Sequence, residues 1–141
     1  MKLSRYTDYA VRVIIFLGAQ GEALCSIADI SRQYAISHNN LMKVVQDLAR
    51  LGYIETLRGR NGGIRLGCHP SDINIGTLIR HTEKGCAMVD CENCVIAPVC
   101  KLPGVLAKAT DAFFNVLDNY TLADLLTDRS HIKQIVSLLE V

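Results

Sequence analysis

The chain has 141 residues, half of them apolar, with 15 Lys and Arg against 14 Asp and Glu. That length suits one domain or a small domain with an appendage, and the apolar content excludes wholesale disorder. Polar residues interrupt every apolar run before membrane-spanning length, and the Met1-Lys-Leu-Ser-Arg5 start lacks the features of a secretion signal, so the chain reads as cytoplasmic with no membrane partner.

The near-neutral total conceals an asymmetry. Residues 1–67 hold 9 Lys and Arg against 5 Asp and Glu, and residues 68–141 hold 6 against 9. A polyanion would be met by the first part.

Ser4 is placed to cap a helix running to about Gln20, with Ala10, Val13, Ile14 and Leu17 at helical spacing and Gly21 as a stop. Ser26 opens a second helix, with Asp29 completing a shortened capping box. After a turn through Tyr34 and Ile36, Ser37 caps a third helix whose apolar face is Leu41, Val44, Val45, Leu48 and Leu51, and Gly52 ends it. Two β-prone runs, 53–57 and 64–66, flank the turn-forming pair Asn61-Gly62. Helix, short helix, turn, helix, hairpin is the order of a winged helix-turn-helix. The polar stretch Ser71-Asp-Ile-Asn74 reads as a linker, followed by a short helix from about Ile75 to His81. Pro103 suits the first turn of a long helix with a stripe of Leu106, Ala109, Phe113, Val116, Leu117 and Tyr120. Such a stripe needs a partner, and a second copy of the chain is the simplest one. Thr121 caps a short turn, and the tail from His131 is weakly amphipathic. The expected fold is mostly α with a small β-hairpin. A winged helix-turn-helix domain spans 1–68, a linker helix and cysteine-rich loop 69–101, and a dimerisation helix with its tail 102–141.

Two features carry chemistry. On the third helix, Ser37, His38, Asn39, Asn40 and Lys43 fall at the N-terminal, outward positions. Asparagine can read an adenine edge bidentately, and lysine reaches a guanine edge or a phosphate. Alone, that face would equally suit solvent. The Gly-rich ribbon with Arg58, Arg60, Asn61 and Arg65 turns the balance toward double-stranded DNA, as a wing lying along the backbone or in the minor groove.

The second feature is Cys86-Ala-Met-Val-Asp-Cys91-Glu-Asn-Cys94-Val-Ile-Ala-Pro-Val-Cys100. Cytoplasmic thiols stay reduced, so clustered cysteines point to metal or redox chemistry rather than a disulfide framework. Structural zinc is usually held by two separated knuckles, whereas one knuckle with flanking thiols suits an iron–sulfur cluster at least as well. Three thiolates and one weaker ligand would leave a reactive iron, which favours sensing over electron transfer. Cys25 and Cys68 lie apart and read as inert thiols, and His81 as a helix-end histidine rather than a ligand. No catalytic triad, paired carboxylates or phosphate loop emerges, so no catalytic residues are expected and the chain does not read as an enzyme.

The opening Leu3-Ser-Arg-Tyr-Thr-Asp8-Tyr-Ala-Val-Arg12, the wing Leu57-Arg-Gly-Arg-Asn-Gly-Gly-Ile-Arg-Leu66 and a three-cysteine loop before a long helix together resemble the iron–sulfur winged-helix repressors. Phe113-Phe-Asn-Val-Leu-Asp-Asn-Tyr-Thr-Leu-Ala-Asp-Leu125 is most similar to the nitric-oxide-sensing branch of that family. The resemblance implies a homodimer crossing through its long helices, a palindromic operator, and a cluster in each protomer (4Fe-4S favoured, 2Fe-2S the alternative). It further implies ligands Cys91, Cys94 and Cys100, completed by Asp8 of the partner subunit, with Arg12 one turn on to hold that carboxylate. The chain departs from the family in the two residues between Cys91 and Cys94, fewer than usual. Cys86 is thus an alternative first ligand, although Met88-Val-Asp90 aligns better with Cys91 in that place. The leading expectation is a repressor released by nitric oxide through cluster nitrosylation. An iron- or cluster-status regulator of the same family is the alternative. A metal-binding or redox protein with a merely structural helix-turn-helix is the reading from another class.

Overall fold

A computed structural model describes residues 1–85 and 87–139. Helix α1 (Arg5–Gln20) begins where the Ser4 hydroxyl accepts the Thr7 amide, and it buries Ala10, Val13, Ile14 and Leu17. Helix α2 (Ile27–Tyr34) has the expected Ser26–Asp29 capping box, and Ser37 caps α3 (His38–Arg50). Each such cap is worth about 1 kcal/mol. Between them Ala35 takes up left-handed backbone at φ 52°, the bend that sets α3 against α2. Leu41, Val44, Val45 and Leu48 of α3 are buried. Leu51 is not: it is the C-cap, where the chain leaves the helix, and it lies 43% exposed.

Strands β1 (Ile54–Leu57) and β2 (Gly63–Leu66) pair antiparallel with Ile54 opposite Leu66 and Leu57 opposite Gly63. Residues 58–62 therefore form the loop, longer than the tight Asn-Gly turn the sequence suggests. Gly59, at φ 111°, turns the chain. Gly62 is required by proximity, because a Cβ there would lie 2.1 Å from the Leu57 carbonyl oxygen. Ile64 also exchanges both backbone hydrogen bonds with Cys25, which ties the wing to the loop before α2.

The polar stretch after the wing is built into the fold. Residues 70–72 make a short 3-10 turn and Ile73 is fully buried. Asn74 then caps α4 (Ile75–Thr82) and forms a backbone bridge with Thr121. After the cysteine segment comes the long helix α5 (Leu102–Leu117), with Pro103 in its first turn. A short α6 (Leu122–Leu125), capped by Thr121, and α7 (Arg129–Leu139) complete the chain. One apolar cluster joins these parts: Ile14 and Leu17 of α1, Leu41 and Leu48 of α3, Ile64, Ile73, Leu78, Phe114 and Leu122 all belong to it. No helix among the described residues is long and apolar enough to cross a membrane.

Phe114 is the buried residue of α5. The stripe read from the sequence divides: Phe113 and Leu117 pack against the core, whereas Val116 is 59% exposed and Tyr120 lies exposed beyond the C-cap Asp118. With Leu102 and Val105 also exposed, α5 carries an apolar face that the single chain does not cover.

Candidate functional site

The amphipathic period of α3 settles which side chains face outward. Its apolar residues lock onto α1 and α2, which leaves Ser37, His38, Asn39, Asn40 and Lys43 exposed along one end. Met42 and Gln46 share that exposure, additions that the N-terminal bias of the sequence reading passed over. The far end of α3 is braced. The Tyr6 hydroxyl of α1 donates a short hydrogen bond to Asp47, and Arg50 pairs with the same carboxylate at 2.7 Å. Burial, and then the Asp47 carboxylate, push the Tyr6 phenol up to about 12.

On the wing, Arg58, Arg60 and Asn61 are exposed in the loop. Neither Arg58, Arg60 nor Lys43 has an ion-pair partner among the described residues. Arg65 differs. It sits opposite Glu55 in the hairpin register and donates to it at 2.8 Å, so it stiffens the ribbon rather than standing free. The result is a helix end rich in amide and cationic groups beside a cationic ribbon, the arrangement that reads and grips a duplex.

The cysteine segment leaves α4 at Glu83 and runs through successive turns. The Cys94 amide donates to the Cys91 carbonyl at 3.3 Å, and the Cys100 amide donates to Ile96 at 2.9 Å. Cys91 and Cys100 are half-buried, Cys94 is exposed, and all three are free thiols with no hydrogen-bonded partner among the described residues. Their side chains do not converge: no group of three His, Cys, Asp or Glu among the described residues is arranged to hold a metal ion. Cys86, the alternative first ligand, lies outside the described residues. The donor set itself fits an iron–sulfur cluster, since three reduced thiols on consecutive turns can close onto one soft centre.

Asp8 does not meet these cysteines within the chain. It lies in the first turn of α1, and Arg12 grips its carboxylate at 3.0 and 3.1 Å, with both side chains 45% exposed. The Arg12 guanidinium in turn stands 5.7 Å from the centre of the Tyr34 ring at the end of α2. His81 is accounted for by Tyr53, whose hydroxyl lies 2.9 Å from its Nδ1. Burial raises the thiol pKa of both Cys25 and Cys68, in keeping with unreactive positions.

Sequence reasoning missed Glu83. Its carboxylate accepts the Ser4 amide and hydroxyl at 3.0 Å each and the Thr7 hydroxyl at 2.6 Å. Burial alone would raise its pKa, but the Thr7 and Ser4 hydrogen bonds outweigh that and hold the carboxyl below its ordinary value. No spacing rule reaches across the 76 and 79 residues that separate these partners.

Fold, reading face and wing define a DNA-binding protein of the winged helix-turn-helix class. More narrowly, the chain belongs to the Rrf2 family: the family model described as "Iron-dependent Transcriptional regulator" matches residues 3–128. It is 50% identical to the HTH-type transcriptional regulator NsrR of Bacillus licheniformis, over 97% of this chain and all of that protein. It is likewise 50% identical to NsrR of Bacillus subtilis, over 99% of this chain and all of that one. Among solved structures it is similar to T. potens IscR, with a TM-score of 0.73 and 30% identity covering 91% of this chain and 88% of that one. CymR, the global cysteine regulator of B. subtilis, superposes with a TM-score of 0.69 at 30% identity, covering 91% of this chain and 99% of that one.

Proposed function

We propose that this chain is a homodimeric transcriptional repressor that binds a palindromic operator in the cytoplasm and releases it when nitric oxide attacks an iron–sulfur cluster held by the cysteine segment. One observation carries the reading. A reading face and wing with uncommitted Lys43, Arg58 and Arg60 stand on a head that is tied to a segment of three free thiols, since Glu83, where that segment begins, accepts hydrogen bonds from Ser4 and Thr7. Cys91, Cys94 and Cys100 would hold the cluster, of 4Fe-4S type in preference to 2Fe-2S, and Asp8 of the partner subunit would supply the fourth ligand. Cys86 replaces Cys91 in the alternative ligand set. When bound, the cluster supplies an iron with one weak oxygen ligand, the point most open to a small reactive gas.

The protein's own residues account for the rest. Arg12 orients the Asp8 carboxylate, so a change in what that carboxylate binds is felt at Tyr34 and hence at α2. A difference of about 1–3 kcal/mol between the two states suffices for regulation. Nitric oxide is favoured as the signal by the near-full-length similarity to NsrR regulators and by the segment 113–125. The family's description as iron-dependent favours a second reading, release on loss of iron or cluster. Rrf2 membership sets aside the reading in which the helix-turn-helix is merely structural.

Anaerobic reconstitution followed by operator band-shift tests the proposal. Visible cluster absorbance and release by nitric oxide, but not by an iron chelator, are expected. Absent absorbance would remove the cluster from the reading, and release by chelator alone would favour the iron signal. Cys94→Ala and Cys100→Ala should abolish cluster assembly, while Cys91→Ala set against Cys86→Ala identifies the first ligand.

A further inference from the structure

Three consecutive residues in the first turn of α1 reach three different parts of the molecule. Tyr6 is hydrogen-bonded to Asp47 on the reading helix α3. Thr7, fully buried, donates to Glu83. Asp8 is gripped by Arg12, which stands over Tyr34 of α2. Glu83 is the residue at which α4 ends and the cysteine segment begins, and its carboxylate takes up the Ser4 amide, the Ser4 hydroxyl and the Thr7 hydroxyl together. A carboxylate at this place also complements the positive end of the α1 dipole. It stands where a capping side chain stands, yet comes from 79 residues further along the chain.

We propose that Glu83 is a positioning residue, a latch that fixes the entry of the cysteine segment to the first turn of α1 and carries the state of that segment to the reading head. The signalling half of this inference rests on the proposed cluster; the latch itself does not. A shift of the segment that draws Glu83 away strips three acceptor contacts from the first turn of α1. Tyr6 and Asp8, on either side of Thr7, then move with it, and both helices of the helix-turn-helix are touched at once. If each protomer lends its Asp8 to its partner's cluster, the latch also joins the two sites in series. Cysteine segment, Glu83, α1 and Asp8 of one protomer then lead to the cluster of the other.

Two variants cut the latch at its ends. Glu83→Gln removes the charge at constant size, and Thr7→Val removes the hydroxyl at constant shape, while Thr7→Ser keeps the hydroxyl and serves as the conservative rescue. In the cluster-free chain, amide hydrogen exchange of residues 4–8 and 84–90 should rise together by about tenfold in the first two variants and stay at the wild-type rate in Thr7→Ser. Unchanged exchange, or a rise confined to residues 4–8, would overturn the latch. With cluster assembled, the wild-type chain should bind its operator about 5- to 150-fold more tightly than without. In Glu83→Gln and Thr7→Val that ratio should collapse to about one, with cluster content unchanged. A wild-type ratio retained in both variants would overturn the signalling role. A wild-type ratio of one would instead overturn the proposed function, and the exchange experiment would still decide the latch.

Discussion

Lys43 and Arg60 are the side chains on which DNA binding can be tested one residue at a time. Both are exposed and neither is committed to an ion pair among the described residues, so replacing either leaves no orphaned partner behind. Alanine at either position should weaken operator binding at moderate salt and lower the slope of log K against log salt by about 1, as measured by fluorescence anisotropy. Arg65→Ala should change that slope less, because its guanidinium is already spent on Glu55. Tyr6 offers a pH test. Its pKa is raised from 10.0 to about 12, so the folded state favours the neutral phenol. Its contribution to stability is complete below pH 10 and is lost as pH rises through about 12. Tyr6→Phe should therefore flatten the alkaline limb of a urea-midpoint profile over that range. Tyr34 and Tyr53, also raised by burial, would retain their share.

At the scale of elements, the contact between α4 and the end of α5 can be probed directly. Arg80 holds Asp118 through two hydrogen bonds at 2.5 and 2.9 Å while its guanidinium covers the Phe114 ring at 4.4 Å. Gly76 lies directly beneath: a Cβ there would fall 2.0 Å from Asp118 Oδ1 and 3.0 Å from its amide nitrogen. Arg80 holds the Asp118 carboxylate and the Asp118 amide donates to the Phe114 carbonyl, so moving Asp118 aside would break these bonds. Gly76→Ala should cost about 1–3 kcal/mol, read as a lowered urea midpoint with an unchanged m-value. The helices of the head are legible in local chemistry alone. Ser4, Ser26 and Ser37 are caps, and the periods of α1 and α3 name their buried faces. The errors fall where tertiary contact overrides local pattern. Leu51 continues the α3 period but comes after the helix has ended, and Ile73 sits in a polar stretch yet is drawn into the core. Asn61-Gly62 marks the hairpin but not its loop length, because Gly62 is set by the approach of the Leu57 carbonyl. The cysteine segment is visible in the sequence as a ligand set, whereas Glu83 is not, since its role depends on contacts far away along the chain.

For the molecule as a whole, the uncovered face of α5 is the feature that a second copy would cover. Val105 and Val116 are 60% and 59% exposed in the single chain, so a charge at either site breaks no contact within it. Val116→Glu should change the stability of the single chain by less than about 0.5 kcal/mol. In sedimentation velocity it should nonetheless shift the proposed dimer to monomer and abolish cooperative operator binding. An unshifted dimer would place the interface elsewhere. The closing of the chain upon itself matters here as well. The Ile75 amide donates to the Tyr120 carbonyl at 2.9 Å and the Leu122 amide to the Ile73 carbonyl at 2.8 Å. These bonds pin the two ends of everything between Asn74 and Thr121, as a bag is drawn shut at its neck. The length of the stretch beyond Glu83 and before Leu102 can then vary while these anchors stay in place. A scaffold pinned in this way could exchange one loop for another at a single place, a freedom that would let regulators of one fold answer to different chemical stimuli.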